Sequence, residues 1–192
     1  LATVTITQPA DLTVTLTSQT DVNCFSNATG SINVTVTGGV KPAGNYYFTW
    51  TGTDYLGAAY NSVVEDQSGL KAGTYQLTVK DANNCTVALT PDVTITQPDV
   101  LTTGSIKNNQ TLCYGESPVT IEEDLAATGG PVTPYSYQWQ VSYTSGGPYS
   151  NIPGATLKDY TPAATPSTNM YYRRAVTSGL CPSVYSNEIS VV

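Results

Sequence analysis

Gly73-Thr74-Tyr75-Gln76-Leu77-Thr78-Val79-Lys80, residues 73–80, is the stretch that decides the fold. Tyr75, Leu77 and Val79 alternate with Gln76, Thr78 and Lys80. A period of two places the apolar set on one face of a β-strand and the polar set on the other. Ile32, Val34 and Val36 alternate in the same way with Asn33, Thr35 and Thr37, as do Tyr135, Tyr137, Trp139 and Val141 with Ser136, Gln138, Gln140 and Ser142. A helical period is almost nowhere to be found. One oily and one wet face predict an all-β chain of antiparallel sheets packed as sandwiches, with threonine on the outer faces, where its branched side chain suits the pleat. Gly38-Gly39, Gly69, Asn83-Asn84, Gly129-Gly130-Pro131, Gly146-Gly147-Pro148 and Gly179 fall between the periodic runs as turn signals.

The pattern repeats. Val-Thr-Ile-Thr-Gln-Pro occurs at 4–9 and again at 93–98, and the same offset of 89 carries Cys24 to Cys113 and Trp50 to Trp139. Self-similarity at a fixed period reads as tandem modules, each closing its own small core. The expected organisation is a tail strand and linker of a preceding repeat at 1–9, one module at 10–98 and a second at 99–192, the whole being a piece of a longer array. The short, proline-bearing junction at Gln97-Pro98-Asp99 predicts a stiff, elongated pair.

Four cysteines allow three pairings. Cys24 with Cys85 and Cys113 with Cys181 is the expectation, because it keeps each crosslink inside one repeat, whereas the alternatives would lock the modules together. Cys24 lies ahead of the 31–37 strand and Cys85 follows the Asp81-Ala82-Asn83-Asn84 turn, so the bridge is expected to staple one end of the module. Trp50 and Trp139 are the expected core plugs. Tyr75, at the head of its strand, is expected in the core as a tyrosine corner, its phenol bonded to the preceding crossover.

Charged residues make up only 11% of the 192, with 7 basic against 14 acidic and a net charge of −7. Nucleic acid is therefore not an expected partner. No run of eighteen apolar residues is present, so insertion in a membrane is not expected either. The absence of histidine removes Ser-His-Asp and Cys-His nucleophiles and the usual zinc sites. Two carboxylate runs remain, Glu65-Asp66 and Glu122-Glu123-Asp124. Neighbours on a strand point to opposite faces, which makes these runs poor acid–base pairs for glycoside chemistry. The chain is not expected to be an enzyme.

The run from Gly69 to Cys85, followed by Val93-Thr94-Ile95-Thr96-Gln97-Pro98, resembles the SprB repeat, with the resemblance extending over residues 10–98. The second module is similar to the immunoglobulin-like repeats of the same large surface proteins. Gln110-Thr111-Leu112-Cys113, Tyr135 to Gln140, Tyr171-Tyr172-Arg173-Arg174 and Ser186-Asn187-Glu188-Ile189 carry that likeness. The resemblance implies two tandem immunoglobulin-like β-sandwich modules of a giant bacterial adhesin, exported by type IX secretion to the outer cell surface and used in gliding adhesion. The 53–66 segment departs from it, being longer than the usual repeat and expected to form a module-specific loop.

Calcium is the only cofactor the residues suggest, at Asp81, Asn83 and Asn84, with Asp11, Asp21 or Asp99 approaching from a neighbouring strand or junction. The plainer reading of that turn is backbone mimicry by Asn and Asp. Glycan binding would draw on the loop tyrosines Tyr55, Tyr60, Tyr143 and Tyr149, against the alternative that tyrosines fill and cap thin cores. Of the adjacent Arg173 and Arg174, one must lean toward the core, where Glu188 or the 122–124 acidic run could meet it. The function expected is a non-catalytic adhesin stalk segment, monomeric and contacting neighbouring repeats. The alternatives are a module binding surface polysaccharide or glycan, or an accessory module of a secreted polysaccharide-degrading enzyme.

Overall fold

The computed structural model describes residues 3–113, 115–163 and 168–192. Among them there is no helix, and every pairing between two strands is antiparallel, while an isolated bridge from Gln110 to Val191 is parallel. The chain divides into two compact units, Leu1–Gln97 and Pro98–Val192.

The first unit holds β1 (Thr13–Thr20), β2 (Gly30–Thr37), β3 (Tyr47–Asp54), β4 (Ala59–Ser62), β5 (Gln67–Leu70), β6 (Gly73–Lys80), β7 (Thr86–Ala88) and β8 (Val93–Ile95). β1, β2 and β5 form one sheet; β4, β3 and β6 form the other, with β7 and β8 both pairing to β6. The decisive stretch is β6 itself. Its Tyr75, Leu77 and Val79 are buried, and they meet Ile32 and Val34 of β2 and Trp50 of β3 in one sandwich-like core. Each fully buried aliphatic side chain in such a core contributes ~1.5–3 kcal/mol.

The second unit holds β9 (Ser105–Lys107), β10 (Glu122–Leu125), β11 (Ser136–Ser142), β12 (Ser150–Asn151), β13 (Met170–Thr177), β14 (Val184–Tyr185) and β15 (Ile189–Val191). β9 pairs with β10. β12, β11 and β13 form the larger sheet, with β14 and β15 pairing to opposite ends of β13. Its core gathers Ile106, Ile121, Trp139, Tyr172, Ile189 and Val191.

The two units share a set of braces. Trp50 and Trp139 are fully buried, and each indole N–H donates to a crossover carbonyl, Glu65 O at 3.1 Å and Leu157 O at 3.0 Å. Just beyond those carbonyls, the carboxylate of Asp66 accepts the Val34 N–H at 3.0 Å and that of Asp159 accepts the Glu123 N–H at 2.8 Å. The crossover thus bonds to both sheets of its unit. Tyr46 donates to Gly38 O and Tyr135 to Gly129 O, closing matched turns. Gly38 (φ 74°) and Gly129 (φ 76°) occupy the left-handed region, and a Cβ would lie 1.8 Å from Asp11 O or 2.0 Å from Val100 O. Only glycine fits there. Tyr75 donates its phenol to Lys71 O at 2.8 Å, the tyrosine-corner bond.

The 53–66 segment is not a loop peculiar to one module. It closes the β3–β4 hairpin and the following crossover, and the β11–β12 hairpin stands in the same place in the second unit.

The cysteine pairing expected from the repeat is overturned. Cys85 and Cys113 are exposed free thiols, whereas Cys24 and Cys181 are buried and disulfide-bonded. The geometry of each unit explains why the expected partners do not meet. Cys24 follows Val22, whose N–H bonds to Thr96 O beside the start of β6, while Cys85 lies just past the end of β6, where its carbonyl accepts the Asp81 N–H. Eight strand residues separate those poles by about 23 Å, against about 4.4–6.8 Å between the Cα atoms of a disulfide. Cys113 likewise follows Leu112, bonded to Val192 near the start of β13, while Cys181 follows its end at Thr177. Sequence spacing kept each pair within one unit but at opposite ends of it, so the supposed end staple does not exist.

Candidate functional site

Adjacent arginines on β13 resolve into two different environments because strand neighbours face opposite ways. Arg174 points inward and is fully buried. Its terminal nitrogens donate to Lys158 O at 2.7 Å, Thr103 O at 3.3 Å and the Glu123 carboxylate at 3.1 Å, and its guanidinium carbon sits 4.7 Å from the Tyr137 ring centroid. Its Nε has no partner. Glu123, on β10, also meets Lys158 at 3.5 Å. The acidic run at 122–124 therefore supplies the buried counter-ion, and Glu188 does not. The signal lay in the parity of the strand: Tyr172, Arg174 and Val176 share one face, and two of the three are plainly apolar.

Arg173 points the other way. Its guanidinium carbon lies 3.9 Å from the Tyr149 ring centroid and 4.0 Å from that of Tyr185, so a ring covers each face of the cation. Its Nε donates to Gln140 Oε1 at 2.7 Å, and Gln140 Nε2 donates in turn to Asn151 Oδ1 at 2.8 Å. Across the sheet the register places Asn151, Gln140 and Arg173 in a row. Tyr149 is held at its far end by Glu188, whose carboxylate accepts its phenol, the Ser145 hydroxyl at 2.8 Å and the Gly146 N–H at 2.9 Å. Burial, and then the hydrogen bond to Glu188, push the Tyr149 phenol up to about 12. Burial of Glu188 would raise its carboxyl, but the bonds from Tyr149, Gly146 and Ser145 outweigh it and leave the group below its ordinary value.

The other tyrosines singled out from the sequence are placed differently. Tyr55 packs against the first core and donates to Ser26 Oγ at 2.6 Å; Tyr60 donates to buried Gln67 and meets Tyr75 edge to face at 5.1 Å. With Asp54, Lys71 and Leu70, Tyr60 and Tyr75 line a cavity of about 210 Å³. Tyr143 stands out in solvent, 73% exposed. The structure brings Tyr149 together with Arg173, a residue not read as a ligand site in the sequence.

Asp81 is buried, and its carboxylate accepts the backbone N–H groups of Val40 at 2.9 Å, Asn83 at 2.9 Å and Cys85 at 2.8 Å. The Val40 bond above all holds its carboxyl below the usual range. Asn83 and Asn84 form the turn itself, Asn84 at φ 65°. Asp21 is spent on the Thr96 N–H at 2.7 Å. The Asp99 carbonyl accepts the Gly130 N–H at 3.0 Å, and the Asp11 carbonyl lies close against Gly38. Among the described residues no group of three or more His, Cys, Asp or Glu side chains is placed to hold a metal ion.

Of the acidic runs, Glu65 accepts from Asn45 at 2.8 Å while Asp66 takes the Val34 N–H, and Glu122 lies 3.9 Å from Lys107 while Glu123 pairs with Arg174. Each carboxylate is committed to a different partner. No helix among the described residues is long and apolar enough to cross a membrane.

No curated protein matches the chain. A family described as a domain of unknown function, DUF8696, matches residues 102–192 and so covers most of the second unit, without assigning it an immunoglobulin-like character. The SprB repeat matches residues 16–54, from β1 to the end of β3, stopping short of the Gly69–Cys85 run that carried the resemblance. Over those residues the chain is similar to the SprB repeat, a likeness that suggests a surface adhesin-type repeat region.

Proposed function

We propose that this chain is a non-catalytic segment of a secreted, cell-surface adhesin, working as spacer and display unit in adhesion during gliding, with its two units acting as immunoglobulin-like sandwich repeats among further copies. Export by type IX secretion belongs to the same reading. The observation that carries it is the SprB-repeat match on a unit that completes its own core and carries its own braces. A unit built that way can be strung in number without a shared cleft. The commitment of the acidic side chains to separate structural partners supports the non-catalytic part of the reading.

Antibody raised against the 192-residue chain should label intact, unpermeabilised source cells. Deletion of the segment from its parent should weaken attachment of those cells to a surface. Antigen found only after permeabilisation, or unchanged attachment in the deletion strain, rejects the proposal.

A further inference from the structure

We propose that Arg173 is a docking point for the carboxylate of an acidic polysaccharide, a uronic-acid unit held edge-on against the outer face of the β11–β13 sheet. The inference is independent of whether the chain is a stalk segment.

Three directions of approach to this guanidinium are already taken. Tyr149 covers one face and Tyr185 the other, at 3.9 and 4.0 Å, and Gln140 occupies Nε at 2.7 Å. What remains is the in-plane edge carrying the two terminal nitrogens. Two parallel N–H groups in a fixed plane match a carboxylate held by two bonds, a geometry that lysine lacks. Among the described residues no carboxylate is within ion-pair distance of Arg173; the nearby Glu188 is engaged by Tyr149, Ser145 and Gly146.

This is costly for a residue that serves only to cover surface, because an arginine side chain gives up considerable rotamer freedom to be fixed so closely. A cation fixed before the ligand arrives does not pay that ordering again on binding. The neighbours favour a sugar over an acidic peptide. Gln140 and Asn151 lie in one row with Arg173, and Tyr185, 47% exposed, borders it on β14. Amide and phenol groups suit the hydroxyls of a pyranose, and a flat row suits an extended glycan.

The test is titration of the full 192-residue chain with trigalacturonic acid, followed by amide chemical shifts and calorimetry, with neutral trigalactose and a glutamate-rich peptide as parallel probes. The expected result is shifts at Gln140, Asn151 and Tyr185 with the uronate alone, weakened by added salt. Arg173→Ala should lower the affinity by about tenfold or more. Arg173→Lys should fall in between, since it keeps the charge and loses the paired edge. Both variants are checked by thermal melting; if Arg173→Ala does not fold, Arg173→Lys and Arg173→Gln carry the comparison. Absence of uronate binding overturns the proposal. So does affinity that is unchanged by substitution of Arg173, or equal binding of trigalactose or of the acidic peptide.

Discussion

The first unit fills the space beside its tryptophan with leucine, the second with arginine. In β3 and β6 the register sets Trp50 opposite Leu77; in β11 and β13 it sets Trp139 opposite Arg174. The surrounding braces are the same: the indole bond to the crossover, the aspartate that caps the facing sheet, the tyrosine-closed glycine turn. One scaffold therefore tolerates two solutions to the same vacancy. The leucine needs no partner, whereas the arginine requires Glu123, Lys158 O and Thr103 O to satisfy it and still leaves Nε without one. A buried ion pair is weak evidence for stability, because desolvation offsets much of its attraction. Where the first unit has plain burial, the second has a polar network that joins β13 to β10 and to the crossover at Lys158.

The largest expected effect breaks that contrast. Arg174→Ala should destabilise the second unit by about 3–5 kcal/mol, because it opens a cavity and leaves the mostly buried Glu123 carboxylate with only the exposed Lys158 as ion-pair partner. The paired change Arg174→Leu with Glu123→Leu, which makes the second unit resemble the first, should be neutral or stabilise by about 1–4 kcal/mol. Urea midpoints of the two variants against the parent decide it, and a double variant as damaged as Arg174→Ala would mean that the network is more than a replaceable filling.

Next in size comes a pair that should behave alike. Gly38→Ala and Gly129→Ala each force a side chain into left-handed backbone against a carbonyl, at a cost of about 1–3 kcal/mol or more. Equal losses in the two units would sharpen the claim of a common frame, and a silent substitution in either would break it. The smallest expected effect is alkaline. Tyr149 and Tyr172, both in the second unit, are pushed up to about 12, in each case first by burial. A tyrosine raised above its unfolded value of about 10 stabilises fully below pH ~10 and loses that contribution as pH climbs to ~12. The second unit's melting temperature should decline across that window, in step with the rise in phenolate absorbance as Tyr149 and Tyr172 ionise.

Much of this was legible in the chain, and the failures have physical causes. Alternation located β2, β6 and β11, and the tryptophans and Tyr75 followed as core because a strand's parity is local information. The cysteine partners were not legible, since residue spacing along a chain does not reveal which pole of a sheet a residue reaches. The bond from the Val40 N–H to the Asp81 carboxylate was not legible either, because Val40 comes to it from the turn after β2, forty-one residues away in the chain. The Arg173 arrangement was equally hidden. Tyr149 lies in the β11–β12 connection and Tyr185 on β14, and only the folded sheet closes them on one guanidinium.

The crossover brace has a consequence for how such units diversify. Fifteen residues separate Trp50 from the carbonyl that receives its indole proton, and eighteen separate Trp139 from its acceptor. The aspartate follows immediately in one unit and two positions later in the other. The clamp grips the two ends of the hairpin without setting its length, so the span between them differs by three residues in the two units while the same indole-to-carbonyl closure is kept; the tips are tied down separately, Tyr55 to Ser26 in one and Ser145 and Gly146 to Glu188 in the other.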